Sequence, residues 1–145
     1  MLDYKCDITK SKEIFEKYKE IAELKPNNCY NNVFNLVAYL SDDIKNGGLK
    51  IAYGYMNVKF DASVFVRHCF FVDSKNKMAI DPTIGYIHSV NKYTNYKTFK
   101  EIDDVDKYID YILSDNNYPA LANALLKEDL EAKQEAFKQG YIFLD

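Results

Sequence analysis

The sequence has no tryptophan, three prolines, five glycines and three cysteines in 145 residues, and each shortage removes a class of protein. Three cysteines, Cys6, Cys29 and Cys69, are too few and too odd in number for the paired disulfides of a small secreted domain. No apolar run approaches the ~20 residues that cross a bilayer. The opening Met1-Leu2-Asp3-Tyr4-Lys5-Cys6 has neither the basic start nor the apolar stretch of a secretory signal. Basic excess is missing as well: 19 Lys and Arg stand against 22 Asp and Glu, for a net charge of −3 and a pI near 5.4. A phosphate backbone calls for a basic field, so nucleic acid is not the expected partner. These absences predict a cytoplasmic protein with reduced thiols and no membrane partner.

What is present fits a folded chain. Hydrophobic residues make up 48% and charged residues 28%, which argues against general disorder. A chain of this length buries roughly two thirds of its unfolded surface and needs no staples. With no internal repeat and no low-complexity linker, residues 1–145 read as one domain. The 13 tyrosines, with many Asn, Lys and Ile, read as codon pressure rather than function.

Hydrophobic spacing divides the chain in three. Residues 11–24 place Ile14, Phe15, Tyr18, Ile21 and Ala22 on one helical face until Pro26 ends the run. Asn27 and Asn28, both good N-cap residues, precede a second helical run carrying Val33, Phe34, Val37 and Leu40, closed by Asn46-Gly47-Gly48. Residues 49–56, 63–73 and 77–81 are rich in β-branched and aromatic residues and read as strands, the last two joined by a hairpin at 74–77. A further strand is expected at 84–90. Helices return at 101–113 and at 119–139, the latter from Pro119 to a stop at Gly140. Helices, then antiparallel strands, then a helical C-terminal third predict an α+β fold, with N-terminal helices packed on a small antiparallel sheet.

Three residues in this layout carry candidate chemistry. Cys29 falls at the start of the second helix, where the helix dipole and unpaired N–H groups favour thiolate over thiol; a small buried hydrophobe is the plainer role for a free cysteine. His68 lies in the strand 63–73 on the face of Val64, Val66, Phe70 and Val72, and a histidine there needs partners for its ring nitrogens. It is either a satisfied core residue or a general base facing the helix packed on that sheet. Arg67 and Cys69 point the other way, which takes Cys69 out of reach of His68. Asp81, at the end of the adjacent strand and before Pro82-Thr83, is placed to fix the imidazole tautomer, though Asp-Pro-Thr is also a routine turn opener. Helix start, strand and adjacent strand, taken together, bring thiol, imidazole and carboxylate into one line.

Asn28-Cys29-Tyr30-Asn31-Asn32, Ala52-Tyr53-Gly54-Tyr55, Arg67-His68-Cys69-Phe70-Phe71-Val72-Asp73 and Ala79-Ile80-Asp81-Pro82-Thr83 resemble, in this order, the core of the transglutaminase-like and papain-like cysteine enzymes. The resemblance spans roughly residues 25–85. It implies Cys29 as nucleophile, His68 as base and acid, and Asp81 as the residue orienting the histidine. The sequence departs from the family where Cys69-Phe70 stands for the usual Ala-Trp after the histidine, and where no Trp precedes the cysteine helix. The backbone N–H of Cys29 is the natural oxyanion donor, with Asn28 or Tyr55 as a candidate side-chain donor. The resemblance implies a thiol hydrolase or acyltransferase acting on a peptide, protein or small amide substrate. A non-catalytic member of the same fold that binds protein or peptide, such as a phage or accessory inhibitor, is the alternative.

Nothing else in the chain demands a cofactor. Cys6, Cys29, His68, Cys69 and His88 do not fall at zinc-site spacings, so no metal is expected, and no glycine-rich phosphate loop occurs. Tyr93, Tyr96 and Phe99, among lysines, either line a substrate cleft or cover the edge of the core; the second is the simpler reading. The segments 41–48, 57–62 and 85–100 are the expected carriers of specificity. In the C-terminal helix Leu121, Leu125, Ala132 and Ala136 give the buried side.

Overall fold

The computed structural model describes all of residues 1–145. Its centre is a long hairpin: β2 (Leu49–Val58) and β3 (Asp61–Asp73) pair antiparallel from Leu49↔Asp73 outward. β4 (Met78–Ile80) folds back on the far half of β3, pairing at Phe71↔Ile80. The hairpin at 74–77 forms as expected. Asp73 accepts hydrogen bonds from the Lys75 and Asn76 N–H groups, both at 3.0 Å, while Lys77 takes a positive φ of 56°.

Three further strands complete the sheet, none of them expected from the sequence. β5 (Asn95–Ile102) pairs with β2, and β1 (Leu2–Lys5) pairs with β5 on its outer side. β6 (Ile142–Leu144) runs parallel to Val64–Val66 of β3. The sheet is therefore six-stranded and mixed, in the order β1-β5-β2-β3-β4 with β6 beside β3, rather than small and purely antiparallel. The C-terminal third correspondingly ends in a strand after its helices.

Five α-helices accompany the sheet. α1 (Ile8–Tyr18) begins three residues before the expected start because Asp7 caps it, accepting from the Lys10 N–H at 3.0 Å. α2 (Cys29–Val37) and α3 (Ser41–Lys45) follow, and Gly47 closes α3 with a φ of +78°. α4 (Val105–Ser114) is capped by Asp104, and α5 spans Leu126–Lys138. The fold is α+β.

Two expected elements are replaced, each for a local reason. Residues 84–90 form no strand. The Asp81 carboxylate accepts from the Thr83 N–H at 3.0 Å and starts a turn that continues as a single 3₁₀ turn, Ile84–Tyr86. Pro119 starts no helix, because Asn116, Asn117 and Leu121 all adopt positive φ. The Asp115 carboxylate meanwhile takes the Asn123 and Ala124 N–H groups at 2.9 and 3.0 Å. α5 can begin only after that knot. Leu121, Leu125, Ala132 and Ala136 are nonetheless all buried.

One glycine is required by the packing of β5. Opposite Gly54 the β2–β5 ladder shifts register, and a Cβ there would overlap the backbone carbonyl of Lys97. The Gly54→Ala variant is expected to lose about 1–3 kcal/mol of stability through this overpacking, read from urea unfolding. A change under half a kcal/mol would mean that the bulge has room to spare.

Candidate active site

α2 begins at Cys29, and the preceding residue leaves the helix end open. Asn28 occupies the N-cap position but makes no side-chain cap; its Oδ1 accepts from Asn31 Nδ2 at 2.8 Å instead. The first backbone N–H groups of α2 therefore keep their partial positive charge beside the half-exposed Cys29. Asn32 holds this end in place. Fully buried, it bonds both the N–H and the carbonyl of Lys25 (2.9 and 2.8 Å) and donates to Thr83 Oγ1 at 3.2 Å.

His68 stands on β3 opposite Gly54, so no neighbouring β2 side chain crowds the imidazole. Its Nε2 lies 2.8 Å from Asp81 Oδ2. Asp81 is fully buried and follows β4, one strand over from His68, as expected from the hairpin. The same Oδ2 accepts from the Tyr96 hydroxyl at 2.8 Å, and Oδ1 accepts from the Thr83 N–H. The Asp81 N–H donates to Ser11 Oγ of α1 at 2.9 Å.

Burial works against a charge on His68, but Asp81, through its charge and its hydrogen bond, outweighs it. The imidazole pKa is pushed up to about 10. Cys29 lines the same cleft as His68 and adds to the rise, after Asp81, as a hydrogen-bond partner and a nearby charge. With Nε2 committed to Asp81, Nδ1 is the ring nitrogen left for the thiol. Burial, followed by the Asp81 charge, raises the Tyr96 phenol well above its ordinary value, so it stays a proton donor.

Cys29 and His68 open onto a cleft of about 490 Å³. Its walls are the start of α2 with Asn28 and Tyr30, the β3 residues Val66 and Arg67, the turn at 83–87, and Tyr118-Pro119-Ala120. The structure thus brings Asn28, Cys29 and His68 to one opening, with Asp81 behind the histidine. Tyr55 is not there: it is fully buried, and its hydroxyl donates to Asp129 of α5. It does not serve as an oxyanion or substrate donor, because it is not among the cleft-lining residues and its hydroxyl is committed to Asp129. Cys69 is buried on the sheet face opposite that of His68, where burial pushes its thiol well up.

Of the segments expected to carry specificity, 41–48 and 57–62 lie away from the cleft, and 85–100 contributes only Tyr86 and Ile87. Tyr96 neither lines the cleft nor merely covers an edge; it holds Asp81. Its signal was the alternation of Tyr96 and Thr98 in a strand that the flanking lysines concealed. The 118–120 wall had no sequence signal beyond Pro119. No family model, no curated protein and no solved structure matches the chain.

The raised His68 pKa has a consequence for stability. The folded state binds this proton more tightly than the unfolded chain, whose imidazole titrates near 6.5. The stabilisation is therefore complete below about pH 6.5 and is lost as pH rises through about 10. Urea unfolding of wild type and Asp81→Asn across this range is expected to give a stability difference that shrinks with rising pH. A difference that stays constant would contradict the charged pair.

Proposed function

We propose that the protein is a thiol enzyme of papain-like, transglutaminase-like architecture that attacks an amide or related acyl carbonyl through Cys29. The observation that carries the reading is the buried His68–Asp81 bond behind a cleft whose lining holds both His68 and the helix-start Cys29. The helix-start cysteine, the strand histidine and the carboxylate on the next strand also keep the chain order of that enzyme group.

In this mechanism the proton shared by Cys29 and His68 rests on the imidazole, whose pKa is pushed up to about 10, so Cys29 attacks as the thiolate of an ion pair whose imidazolium is held by Asp81. The sulfur adds to the substrate carbonyl carbon, and the backbone N–H of Cys29 at the start of α2 faces the developing oxyanion. Collapse breaks the C–N bond, the leaving amine takes the proton from His68, and an S-acyl enzyme remains. Water or a second amine, deprotonated by His68, then attacks the acyl carbon and frees the thiol. Asp81 never accepts the proton; it fixes the tautomer and offsets the charge. The substrate class is peptide, isopeptide or glutamine-type amide.

The test is acylation by an activated ester such as p-nitrophenyl acetate, followed by intact mass and peptide mapping. An acetyl group on Cys29 is expected in wild type and none at this position in Cys29→Ala. His68→Ala should slow acylation by about 10²–10⁴-fold, and Asp81→Asn should leave a small residual rate. Wild-type rates retained by folded Cys29→Ala would reject the nucleophile. A folded wild type that never acylates at Cys29 would favour a non-catalytic binding module.

A further inference from the structure

The cleft has an uneven charge lining. The chain carries a net charge of −3, yet none of the residues that line this cleft is acidic, and only Arg67 and His68 can carry a positive charge. Arg67 precedes His68 on β3, and Tyr30, which it contacts, follows Cys29 on α2. The guanidinium reaches this cleft through Tyr30, which it bonds and which lines the same opening as Cys29 and His68.

Its surroundings hold it firmly and leave it incompletely paired. The side chain is only 7% exposed, and Nε donates to Asp129 Oδ2 at 3.1 Å. Nη1 donates to the Tyr30 hydroxyl at 2.8 Å and to the Ala120 carbonyl at 2.9 Å. The rings of Tyr30, Tyr53 and Phe99 lie 5.3, 5.9 and 5.7 Å from Cζ, packing aromatic surface around the guanidinium. Nη2 is buried with no hydrogen-bond partner at all. A buried donor on a charged group is costly to leave unmade. Asp129 occupies the Nε position only, so the Nη1–Nη2 end remains, and Tyr30 and Ala120, which cover it, are themselves cleft walls.

We infer that Arg67 is a specificity-determining residue whose Nη1–Nη2 end binds a carboxylate of the substrate beside the reacting carbonyl, one oxygen replacing the Tyr30 hydroxyl. This rests on the thiol-enzyme reading and narrows its substrates to amides bearing a nearby carboxylate. A planar guanidinium matches the two oxygens of such a group, which a point charge does not. No acidic side chain in the cleft opposes its entry.

The test compares alkylation of Cys29 by iodoacetate and by iodoacetamide in wild type, Arg67→Lys and Arg67→Met, with folding checked by circular dichroism. His68 attracts the anionic reagent equally in all three, so the rate ratio isolates Arg67. The ratio is expected to fall about tenfold in Arg67→Met, the worth of a charge-assisted hydrogen bond, and to fall in Arg67→Lys as well. Because loss of Arg67 strands the buried Asp129, a second measurement uses wild type alone. N-acetylglycine should protect Cys29 from iodoacetamide where N-acetylglycinamide at equal concentration does not. An unchanged ratio in a folded variant, or equal protection by the two compounds, overturns the role of Arg67. A wild-type Cys29 that iodoacetamide modifies no faster than a free thiol removes the thiol-enzyme reading, and this inference with it.

Discussion

The carboxylate of Asp81 has no exposure to water, and an ionised group in that position is tolerated only if its lone pairs are filled. Three donors fill them, each from a different part of the chain: His68 Nε2 from β3, the Tyr96 hydroxyl from β5 and the Thr83 N–H from the turn after β4. The arrangement therefore exists only when β5, β2, β3 and β4 lie in their observed order. An isolated buried ion pair adds little net stability, but removing one partner costs about 3–5 kcal/mol. The pair is better understood as a device that fixes geometry, and what it fixes is the imidazole beside Cys29.

The helices are tied to the same point. Ser11 of α1 accepts from the Asp81 N–H and also contacts Cys6 Sγ at 3.4 Å. Asn32 of α2 reaches Thr83, whose N–H in turn serves Asp81. A displacement of α2 would thus move Cys29 and disturb the turn that supports His68 together. On the other face of the sheet, the Arg67–Asp129 pair joins β3 to α5, and Arg67 also bonds Tyr30 and Ala120. Arg67 thereby links two cleft walls, Tyr30 and Ala120, to the sheet.

The sequence made part of this legible. Alternation along 63–73 placed His68 and Cys69 on opposite faces, Asn27-Asn28 marked a helix start at Cys29, and the short hairpin at 74–77 brought Asp81 beside β3. Those inferences needed only local periods and turn chemistry. The outer strands were hidden because their burial is one-sided and non-local. β1 buries only Tyr4 of its four residues. In β5, Lys97 reads as surface, yet it is buried with its ammonium 2.6 Å from Asp3 and over the rings of Phe65 and Tyr141. Tyr96 reads as an edge aromatic for the same reason, and Tyr55 reads as a free donor because its partner, Asp129, lies 74 residues away. The wall at 118–120 depends on left-handed Asn116 and Asn117, a conformation Asn tolerates, and on left-handed Leu121, which no propensity would favour.

The central claim is that Cys29 and His68 act as one unit, and the most direct measurement is the pH dependence of iodoacetamide alkylation at each cysteine, by peptide mass spectrometry, in wild type and His68→Ala. The account predicts that Cys29 alone is modified rapidly in mildly acidic buffer, while the buried Cys6 and Cys69 remain inert. It predicts further that His68→Ala removes this reactivity without unfolding the protein. Modification of Cys29 that follows the same pH curve in both proteins would contradict it.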